Sequence, residues 1–562
     1  MTRAGRALPV LTAAALIALT SVPYLYGYRL APPDKWFSGV VYNVHDTAQY
    51  LSWMRESGER FLIDNRLTSE PNPAVFVNLH WWIPGRVAAW LDWSLPTMYQ
   101  ALRMSAIAMC VWVFWWASGL FAPGRLRRLT TFFLALFTSG WGWLWVVEKQ
   151  FSGSLRYPHD VYTTPGNTFW VMLASPHLTF ALALTVLALG LMWKAETTGR
   201  WTAAAAAGSV ALFLGAGHIY DLVTVWAVAG AFGLALTLRE GFRWDRAVRL
   251  GLIVVLSAPA PLYFAWVSSS ANPTWQQALA QYDFLGAFTP SPPHLVVLLG
   301  LTFVLAAFQT LHLPGPGSFG DRLARLDDRT LFLRVWFLTN TLIIYLPLKF
   351  QVMLLTGLQF VASLLAADLL YDTVLPSLAR RLPADGLASA ARVTRLAPVL
   401  LVLAVVPTNA YLFAWRLVDL GREEAPFFLE GGQRASLAWL DAHAEPDAVV
   451  LSAFTTGHFV PGLTGLRPVL SNAVMTLDFT HKRSAVEAFF GAASEAERRM
   501  LLARYAVDYV IHGPAERALG AFDPDTSPDL RRVFSSGDTR VYRVVASGAR
   551  DTRTAHSRSP SR

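Results

Sequence analysis

Long apolar stretches separated by short polar connections occupy most of the chain. About eleven of these stretches approach the roughly 20 residues that a membrane-crossing helix needs. They span residues 8–28, 97–121, 129–147, 168–193, 201–217, 221–238, 247–268, 293–312, 330–348, 352–372 and 397–415. The pattern predicts an α-helical membrane protein, with a polytopic bundle of about 11 transmembrane helices over residues 1–415 and a long polar first outer loop at residues 30–96.

The placement of basic residues predicts the orientation of this bundle. The first apolar stretch follows Arg3 and Arg6 and has no small-residue cleavage site after it, which indicates an uncleaved anchor. With the N-terminus in the cytoplasm, the cytoplasmic connections and the first seven residues carry 18 Lys and Arg, whereas the short outer loops carry three. This bias follows the positive-inside rule and predicts that both long polar regions lie on the outer face.

The second long polar region, residues 416–562, has a different pattern from the apolar part. Stretches with helical apolar spacing alternate with short β-branched or aromatic runs, which predicts a small extracytoplasmic α/β domain over residues 416–546. The predicted elements are helices at 433–443 and 484–504 and strands at 448–452, 507–512 and 541–545. The last residues, 547–562, have the Arg- and Ser-rich composition of a disordered basic tail.

Composition excludes several classes of protein. Of the 562 residues, 54% are hydrophobic and 15% are charged, and the mean hydropathy is +0.37, which excludes a soluble enzyme, a fibrous protein and a disordered chain. The single cysteine, Cys110, lies inside an apolar stretch, so cysteine chemistry is not expected. The net charge of +9 arises from the cytoplasmic connections and the tail, so no nucleic acid is implied. These connections are too short to fold around a nucleotide.

The first outer loop contains the most informative polar residues. His45 and Asp46 open an apparently amphipathic helix that includes Tyr50, and Glu70 is a second carboxylate further along the loop. A carboxylate held just above the membrane could take a proton from an incoming hydroxyl group. The alternatives are that Asp46 only caps the helix and that Glu70 is a solvated loop charge. His45, Asp46 and Glu70 could together bind a divalent metal, but their spacing is weakly specific, so no metal or other cofactor is predicted.

Other polar residues fall at the outer ends of the predicted spans, where ionisable groups tend to face an interior cavity. They are Arg156, Asn167, His177, His218, Tyr220, Asp221, Lys349 and Gln351. Lys349 is the only cation of its short connection and could bind a lipid-linked phosphate, or it could simply extend to the membrane interface. His177 could equally be a buried core histidine.

The sequence resembles the GT-C superfamily of integral-membrane glycosyltransferases, and in particular its uncharacterised bacterial members. The resemblance rests on an Asp-x-x-x-Tyr-Leu-x-x-Met pattern that begins at Asp46, a Ser-Pro-His stretch that ends at His177, and a His-x-Tyr-Asp hairpin that begins at His218. It also rests on the Phe-Gln step at Gln351, and on phrases of the C-terminal region such as Gly-His-Phe-Val-Pro, which ends at Pro461.

The resemblance implies that a sugar moves from a polyprenyl-phosphate carrier to a glycan, lipid or protein acceptor at the outer face of a bacterial inner membrane, with inversion. It implies that Asp46 is the general base and that Lys349 binds the donor phosphate. Relatives often have consecutive arginines after the Phe-Gln step, whereas this chain has Val352 and Met353. Lys349 would therefore take their role, with Gln351, Arg156 and His218 as further phosphate ligands. The residues expected to line the cavity are Tyr50, Asn167, His177, Tyr220 and Asp221.

Two other functions are compatible with the same pattern. A transporter or flippase of lipid-linked glycans would show inverted repeats and broken spans in corresponding halves, and the Gly- and Pro-containing segments do not pair in that way. A non-catalytic envelope scaffold would use its outer domain to bind a partner, and its function would survive substitution of Asp46. Within the glycosyltransferase hypothesis, the C-terminal domain could guide the acceptor or merely cap the cavity.

Overall fold

The computed structural model describes residues 3–153, 163–281, 288–313, 318–381 and 387–545. Among these residues, seven segments are helical, long and apolar enough to cross a membrane, namely Ala7–Leu30, Leu95–Phe121, Pro176–Thr198, Asp221–Glu240, Trp244–Val267, Pro292–Leu311 and Gln351–Ala379. Two further pairs of helices qualify as bent spans. These are Arg125–Phe137 with Gly142–Lys149, bent by 49°, and Arg392–Ala404 with Pro407–Leu420, bent by 41°. The chain is thus a helical membrane protein with seven to nine candidate spans.

The difference from the eleven predicted stretches has a simple physical reason. Each stretch coincides with helical structure, but two of the helices are short: Trp201–Gly215 has 15 residues and Asp328–Ile343 has 16. At 1.5 Å per residue they reach about 24 Å at most, which is less than the roughly 30 Å of a bilayer core. In the second bent pair, Pro407 starts the new helix, because proline lacks the N–H that would continue the previous one.

The spans differ strongly in how much neighbouring protein covers them. The span Gln351–Ala379 is 94% buried over its most apolar window, whereas Trp244–Val267 is only 22% buried. The first of these spans therefore forms the centre of the bundle, and the second lies at its periphery. The remaining helices of residues 3–420 are Val44–Glu59, Leu79–Leu91, Thr168–Ala174, Pro273–Ala280 and Phe319–Ala324.

The C-terminal region contains a mixed five-stranded sheet in the order β4-β3-β5-β7-β6. Its strands are β3 (Val449–Leu451), β4 (Arg467–Pro468), β5 (Tyr509–His512), β6 (Leu530–Ser536) and β7 (Thr539–Val544). β3 runs parallel to β4 and β5, whereas β7 runs antiparallel to β5 and β6. The helices of this region are Gly431–His443, Phe454–Gly457, Phe459–Thr464, Phe479–Phe490, Glu495–Arg504 and Pro514–Arg517. This architecture confirms the predicted C-terminal α/β fold.

The C-terminal domain differs from the predicted elements at two places, and the local sequence accounts for both. The stretch 484–504 forms two helices rather than one, because Ser494 and Glu497 form a reciprocal capping box that starts the second helix. The strand β4 has only two residues, so its sequence shows no alternation of apolar and polar positions. It is a strand because it pairs with its neighbour β3.

The first outer loop packs directly against the C-terminal domain. Its strand β1 (Lys35–Phe37) pairs antiparallel with β2 (Phe428–Glu430). The loop's main helix, Val44–Glu59, contacts both Leu79–Leu91 and the helix Phe459–Thr464 of the C-terminal domain. A Cβ atom at Gly85 would lie 2.4 Å from the Met54 carbonyl oxygen, so the close crossing of the two loop helices requires glycine there. The loop and the domain thus share one folded unit above the bundle.

Candidate active site

A cavity of about 430 Å³ lies between the loop of residues 30–96, the adjoining ends of several spans and the C-terminal domain. This volume is in the range of small-molecule and cofactor sites. One part of its lining is polar and comprises Asn43, Asp46, Thr47, Gln49, Asn78, Thr163, Thr164, Ser175, His177, His218 and Tyr220. Another part is apolar and comprises Trp53, Phe76, Trp81, Phe264, Val267, Trp275, Leu279, Val474 and Met475. The cavity is therefore amphipathic, with titratable groups on one side.

Asp46 lies in the first turn of the helix Val44–Glu59, and Asn43 fixes its position. Asn43 is the N-cap of that helix and adopts a left-handed conformation with φ of 46°. Its side-chain oxygen accepts a hydrogen bond from the Asp46 backbone N–H at 3.4 Å, and its Nδ2 donates to Asp46 Oδ2 at 2.5 Å. Asp46 is thus not the helix cap, because Asn43 has that role. The Asp46 carboxylate is instead part of the cavity wall.

The surroundings of Asp46 favour its neutral form. Burial raises the pKa of the Asp46 carboxyl group above its usual value, although hydrogen bonds from Asn43 and Asn472 and the nearby His45 act in the opposite direction. A carboxyl group whose pKa is raised toward neutrality is a stronger base in its ionised form than an ordinary surface aspartate. The environment of Asp46 therefore suits proton transfer.

The other two residues predicted to be catalytic lie outside the cavity lining. The His45 ring packs against His458 and Phe454 of the C-terminal domain, with ring centroids 4.1 and 5.4 Å away, and burial lowers its pKa. Glu70 Oε2 forms an ion pair with Lys482 Nζ at 2.7 Å. Burial acts to raise the Glu70 pKa, but the Lys482 charge outweighs it, and the pKa is lowered. Both residues contact the domain rather than the cavity.

A column of aromatic rings forms one wall of the cavity. The Tyr50 ring stacks on the Trp81 ring with centroids 4.4 Å apart and an interplanar angle of 11°. The Tyr50 hydroxyl group lies 3.3 Å from His177 Nε2, so these two side chains are joined by a hydrogen bond. Flat aromatic faces beside hydroxyl and imidazole groups are well suited to bind the apolar face and the hydroxyls of a sugar.

Beside His177, whose ring centroid is 6.1 Å from that of His218, the cavity wall contains a histidine–aspartate pair in a tight hairpin. His218 Nδ1 lies 2.7 Å from Asp221 Oδ2, and Asp221 is fully buried. The buried His80 ring packs directly over Gly217, where a Cβ atom would lie only 2.0 Å from it. Because the carboxylate binds one ring nitrogen, it orients the imidazole of His218. His218 also lines the cavity, as does Tyr220 between the two members of the pair.

The residues of the predicted phosphate-binding connection lie at the edge of the cavity. The Lys349 side chain is exposed, and the Phe350 ring packs on Tyr220 with centroids 4.4 Å apart. Gln351 is fixed by two backbone groups, since its Oε1 accepts from Thr289 N–H at 2.9 Å and its Nε2 donates to the Leu346 carbonyl at 2.7 Å. The connection thus adjoins the cavity, whose lining includes Val352 and Met353 directly after it.

Two other predicted residues have different locations. Asn167 is fully buried behind the cavity, where its Nδ2 donates to Asn409 Oδ1 at 2.8 Å and its Oδ1 caps the helix Thr168–Ala174. Arg156 lies outside the described residues. In the described parts of the chain, no group of three or more His, Cys, Asp or Glu side chains is arranged to hold a metal ion.

Sequence reasoning missed the asparagine that holds Asp46 and the C-terminal loop that lines the cavity. Asn43 lies three residues before Asp46 and could have been found as a helix-capping residue next to it. The C-terminal loop follows β4 and lines the cavity at Val474 and Met475. No local signal in the sequence links this loop to the first outer loop, since the two are far apart along the chain.

Solved membrane glycosyltransferases have the same fold. ArnT from Cupriavidus metallidurans, solved with bound undecaprenyl phosphate, superposes with a TM-score of 0.51 and 13% identity, over 95% of this chain and 98% of that one. The arabinofuranosyltransferase AftD from mycobacteria superposes with a TM-score of 0.52 and 13% identity, over 96% of this chain and 40% of AftD. The Archaeoglobus fulgidus oligosaccharyltransferase, solved with a tethered acceptor peptide, gives 0.50 and 13%, over 89% and 69% of the two chains.

These similarities are structural. The sequence matches no protein-family model and no curated protein. The similarity to the three structures covers most of this chain, so the chain has the fold of the GT-C membrane glycosyltransferases, as its sequence predicted. The chain spans less than half of AftD but nearly the full length of ArnT.

Proposed function

We propose that this GT-C-fold protein is a membrane glycosyltransferase that transfers a sugar from a polyprenyl-phosphate carrier to an acceptor hydroxyl or amide group at the outer face of the cytoplasmic membrane. The observation that carries the proposal is the position of Asp46, which lines an amphipathic cavity between the ends of several spans and the C-terminal domain. The undecaprenyl phosphate bound to ArnT, which has the same fold, supports a lipid-linked donor.

The reaction follows from the groups in the cavity. Asp46 accepts the proton of the acceptor group as the acceptor atom attacks the anomeric carbon of the sugar. The new glycosidic bond forms while the bond between that carbon and the phosphate oxygen breaks, and the polyprenyl phosphate leaves with the bonding electrons. Because attack and departure are in line, the configuration at the anomeric carbon inverts. The donor is already activated on its phosphate, so the reaction needs no nucleotide.

The leaving phosphate requires nearby hydrogen-bond donors or positive charge. His218 is the best placed candidate, because it lines the cavity and Asp221 holds its other ring nitrogen at 2.7 Å. Lys349 and Gln351 lie in the connection at the cavity edge, where Lys349 could reach a phosphate at the membrane surface. In this assignment Tyr50, His177 and Tyr220 contact the sugar, and His45 and Glu70 support the first outer loop.

The orientation of the chain is part of the proposal. The positive-inside bias supports a cytoplasmic N-terminus, with the cavity and the C-terminal domain on the outer face. Labelling of single introduced cysteines in intact cells tests it. A cysteine at the exposed Asp538 should react with a membrane-impermeant maleimide, whereas one at the exposed Gly124 should react only after the cells are broken. The opposite labelling pattern would place the cavity in the cytoplasm and refute the proposed outer-face reaction.

Transfer assays test the activity itself. Membranes that contain the wild-type chain or Asp46→Asn at matched expression are supplied with radiolabelled polyprenyl-phosphate sugars, and label in the acceptor fraction is counted. We expect transfer by the wild type and a loss of about 10²- to 10⁴-fold in the variant, the usual contribution of a general base. Equal transfer by both chains would refute the role of Asp46. Failure of the wild type with every donor, together with donor movement across vesicle membranes, would support a transporter.

A further inference from the structure

The main helix of the first outer loop, Val44–Glu59, presents one face to the cavity. Its cavity-lining residues are Asp46, Thr47, Gln49, Tyr50 and Trp53. Gln49 lies three residues after Asp46, so the two side chains lie on neighbouring turns of the same face. On the other side of the helix, a Cβ atom at Gly462 of the C-terminal domain would lie 3.1 Å from Leu51 Cβ. This close packing fixes the rotation of the helix and the face that lines the cavity.

Gln49 differs from its polar neighbours in the cavity wall because its amide has no protein partner. Thr47 Oγ1 donates to the Asn43 carbonyl at 3.0 Å, and Asn78 Nδ2 donates to the Gly217 carbonyl at 2.8 Å. Among the residues that the structure describes, none forms a hydrogen bond with the Gln49 amide, although Gln49 is only 7% exposed. An amide in such a position is destabilising unless a ligand or water completes its hydrogen bonds.

The chemistry of this amide favours one kind of ligand. Its Oε1 accepts hydrogen bonds, its Nε2 donates them, and the group is neutral. Two neighbouring hydroxyl groups of a sugar match both atoms, because one hydroxyl can donate to Oε1 while the other accepts from Nε2. A phosphate dianion offers only acceptors, an ammonium group offers only donors, and an alkyl chain offers neither. The unpaired amide of Gln49 therefore fits a hydroxyl pair best.

The position of Gln49 relates this hydroxyl pair to the proposed base. Cβ atoms three residues apart on a helix are about 5–6 Å apart, a separation that one sugar ring spans. The next residue, Tyr50, stacks on Trp81 and adds an aromatic face to the same wall. His218, the candidate for the donor phosphate, lies outside this helix, in the hairpin before Asp221. Gln49 is therefore on the side of the base, where the acceptor is deprotonated.

We propose that Gln49 determines acceptor specificity, and that its amide binds two neighbouring hydroxyl groups of an acceptor sugar beside the hydroxyl group whose proton Asp46 accepts. The acceptor is therefore a glycan and not a protein side chain or a lipid without a sugar. This inference rests on the proposed function, because it names the class of the acceptor. A donor sugar carries the same hydroxyl chemistry, and the test distinguishes the two sources.

The test measures transfer kinetics of the purified wild type, Gln49→Leu and Gln433→Leu. The substrates are the radiolabelled polyprenyl-phosphate sugar that the wild type uses and an acceptor extract from membranes, and each is varied separately. Gln49→Leu removes both hydrogen-bonding atoms, so the KM for the acceptor should rise about 10-fold while the KM for the donor is unchanged. Gln433→Leu is the matched control, because its amide donates to Thr456 Oγ1 at 2.8 Å within the C-terminal domain. Both of its KM values should equal those of the wild type.

Stability separates a ligand-binding role from a structural one. Because the Gln49 amide has no protein partner, Gln49→Leu should leave the thermal unfolding midpoint unchanged or raise it. Gln49→Glu keeps the size of the side chain but loses the N–H donors, so it tests the same acceptor KM if the leucine variant does not fold.

The acceptor extract can also be tested chemically. Periodate cleaves the bond between carbons that carry neighbouring hydroxyl groups. Treatment of the extract with periodate, followed by removal of the reagent, should therefore abolish its capacity to accept sugar from the wild type. An extract that keeps full capacity would overturn the glycan acceptor.

The kinetic outcomes decide the role of Gln49. A higher acceptor KM in Gln49→Leu with an unchanged donor KM supports the proposal. A higher donor KM alone would assign the hydroxyl pair to the donor sugar and overturn the acceptor assignment. Unchanged KM values, or a lower kcat with a lower unfolding midpoint, would overturn the binding role. A wild-type chain that transfers no sugar would instead refute the proposed function, so the two failures are distinguishable.

Discussion

The first outer loop presents two kinds of carboxylate to its surroundings. Asp64 and Glu70 face cations of the C-terminal domain, where Arg467 pairs with Asp64 and Lys482 pairs with Glu70. Asp46 accepts a hydrogen bond from the Asn43 amide instead, and among the described residues it makes no ion pair with Lys or Arg. In the same loop, Asp64 and Glu70 thus form ion pairs with the C-terminal domain, whereas Asp46 has no such ion pair and lines the cavity.

The pKa directions follow from this difference. Burial acts to raise the pKa of all three carboxyl groups. For Asp64 and Glu70, hydrogen bonds and the nearby cationic side chains outweigh burial, and the pKa is lowered. For Asp46 the hydrogen bonds do not outweigh burial, and the pKa is raised. A perturbed acid in a cavity is a candidate for catalysis, whereas a buried ion pair usually has a structural role.

Asp64, one of the two acids paired with cations, also belongs to a larger network of charged side chains. Arg66 Nε lies 3.4 Å from carboxylate oxygens of both Glu56 and Asp64, and its Nη2 lies 3.0 Å from Asp447. Burial and the neighbouring Asp64 raise the pKa of Glu56 well above its usual value, whereas the pKa of Asp64 is lowered. The network connects the loop helix with the start of β3 and stabilises the interface beside the cavity.

Removal of the cation at Asp64 should have a large effect on stability. In Arg467→Leu, Asp64 would remain buried without its main cation, which typically costs about 3–5 kcal/mol. We expect a lower thermal unfolding midpoint in detergent. The double variant Arg467→Leu/Asp64→Leu should recover part of this loss, because it removes both charges. An unchanged midpoint in the single variant would contradict the view that this pair holds the domain on the loop.

Removal of the cavity histidine His218 should have an intermediate effect on transfer. A hydrogen bond to a charged group contributes about 1.5–3 kcal/mol, so His218→Ala should lower kcat/KM for the donor about 10- to 100-fold. Asp221→Asn should cause a similar or smaller loss, because it removes the group that orients the ring. If the donor is recognised elsewhere, both variants will show wild-type kcat/KM in the same assay.

Acidification should separate the two kinds of carboxylate. The raised pKa of Asp46 predicts that transfer is lost as the pH falls toward that pKa, above the usual value of about 4 for aspartate. The lowered pKa values of Asp64 and Glu70 predict that their stabilising effect is present above pH 4 and is lost only as the pH falls through their lower, folded-state pKa values. As the pH falls, transfer activity should therefore be lost before the protein unfolds. Sugar transfer and the thermal unfolding midpoint are measured on aliquots from one pH series. Coincident loss would contradict the comparison.

Local patterns predicted much of the fold and one side of the site. Apolar stretches identified the spans, and the Asp46 pattern at the start of a helix identified the proposed base. The i, i+3 spacing of His218 and Asp221 in a tight hairpin also brought together two predicted residues. These features depend on residues close in sequence, so periodicity and turn signals were sufficient to find them.

Contacts between distant residues could not be read in the same way. Glu70 looked like a second catalytic candidate because its partner, Lys482, is 412 residues away. The loop with Val474 and Met475 gave no signal, since its place in the cavity wall depends on how the C-terminal domain packs on the first outer loop. Composition also does not show where a helix ends, so the apolar stretch at 330–348 could not be told apart from a full-length span although its helix is Asp328–Ile343.

The most direct test of the account compares Asp46→Asn with Glu70→Gln, two acid-to-amide changes in the same loop. For both purified variants we would measure sugar transfer and the thermal unfolding midpoint. The account predicts that Asp46→Asn loses transfer by about 10²-fold or more and stays folded. It predicts that Glu70→Gln keeps transfer within a few-fold of the wild type and loses about 1 kcal/mol of stability, since its ion pair is partly exposed. Loss of transfer in Glu70→Gln with full activity in Asp46→Asn would contradict it.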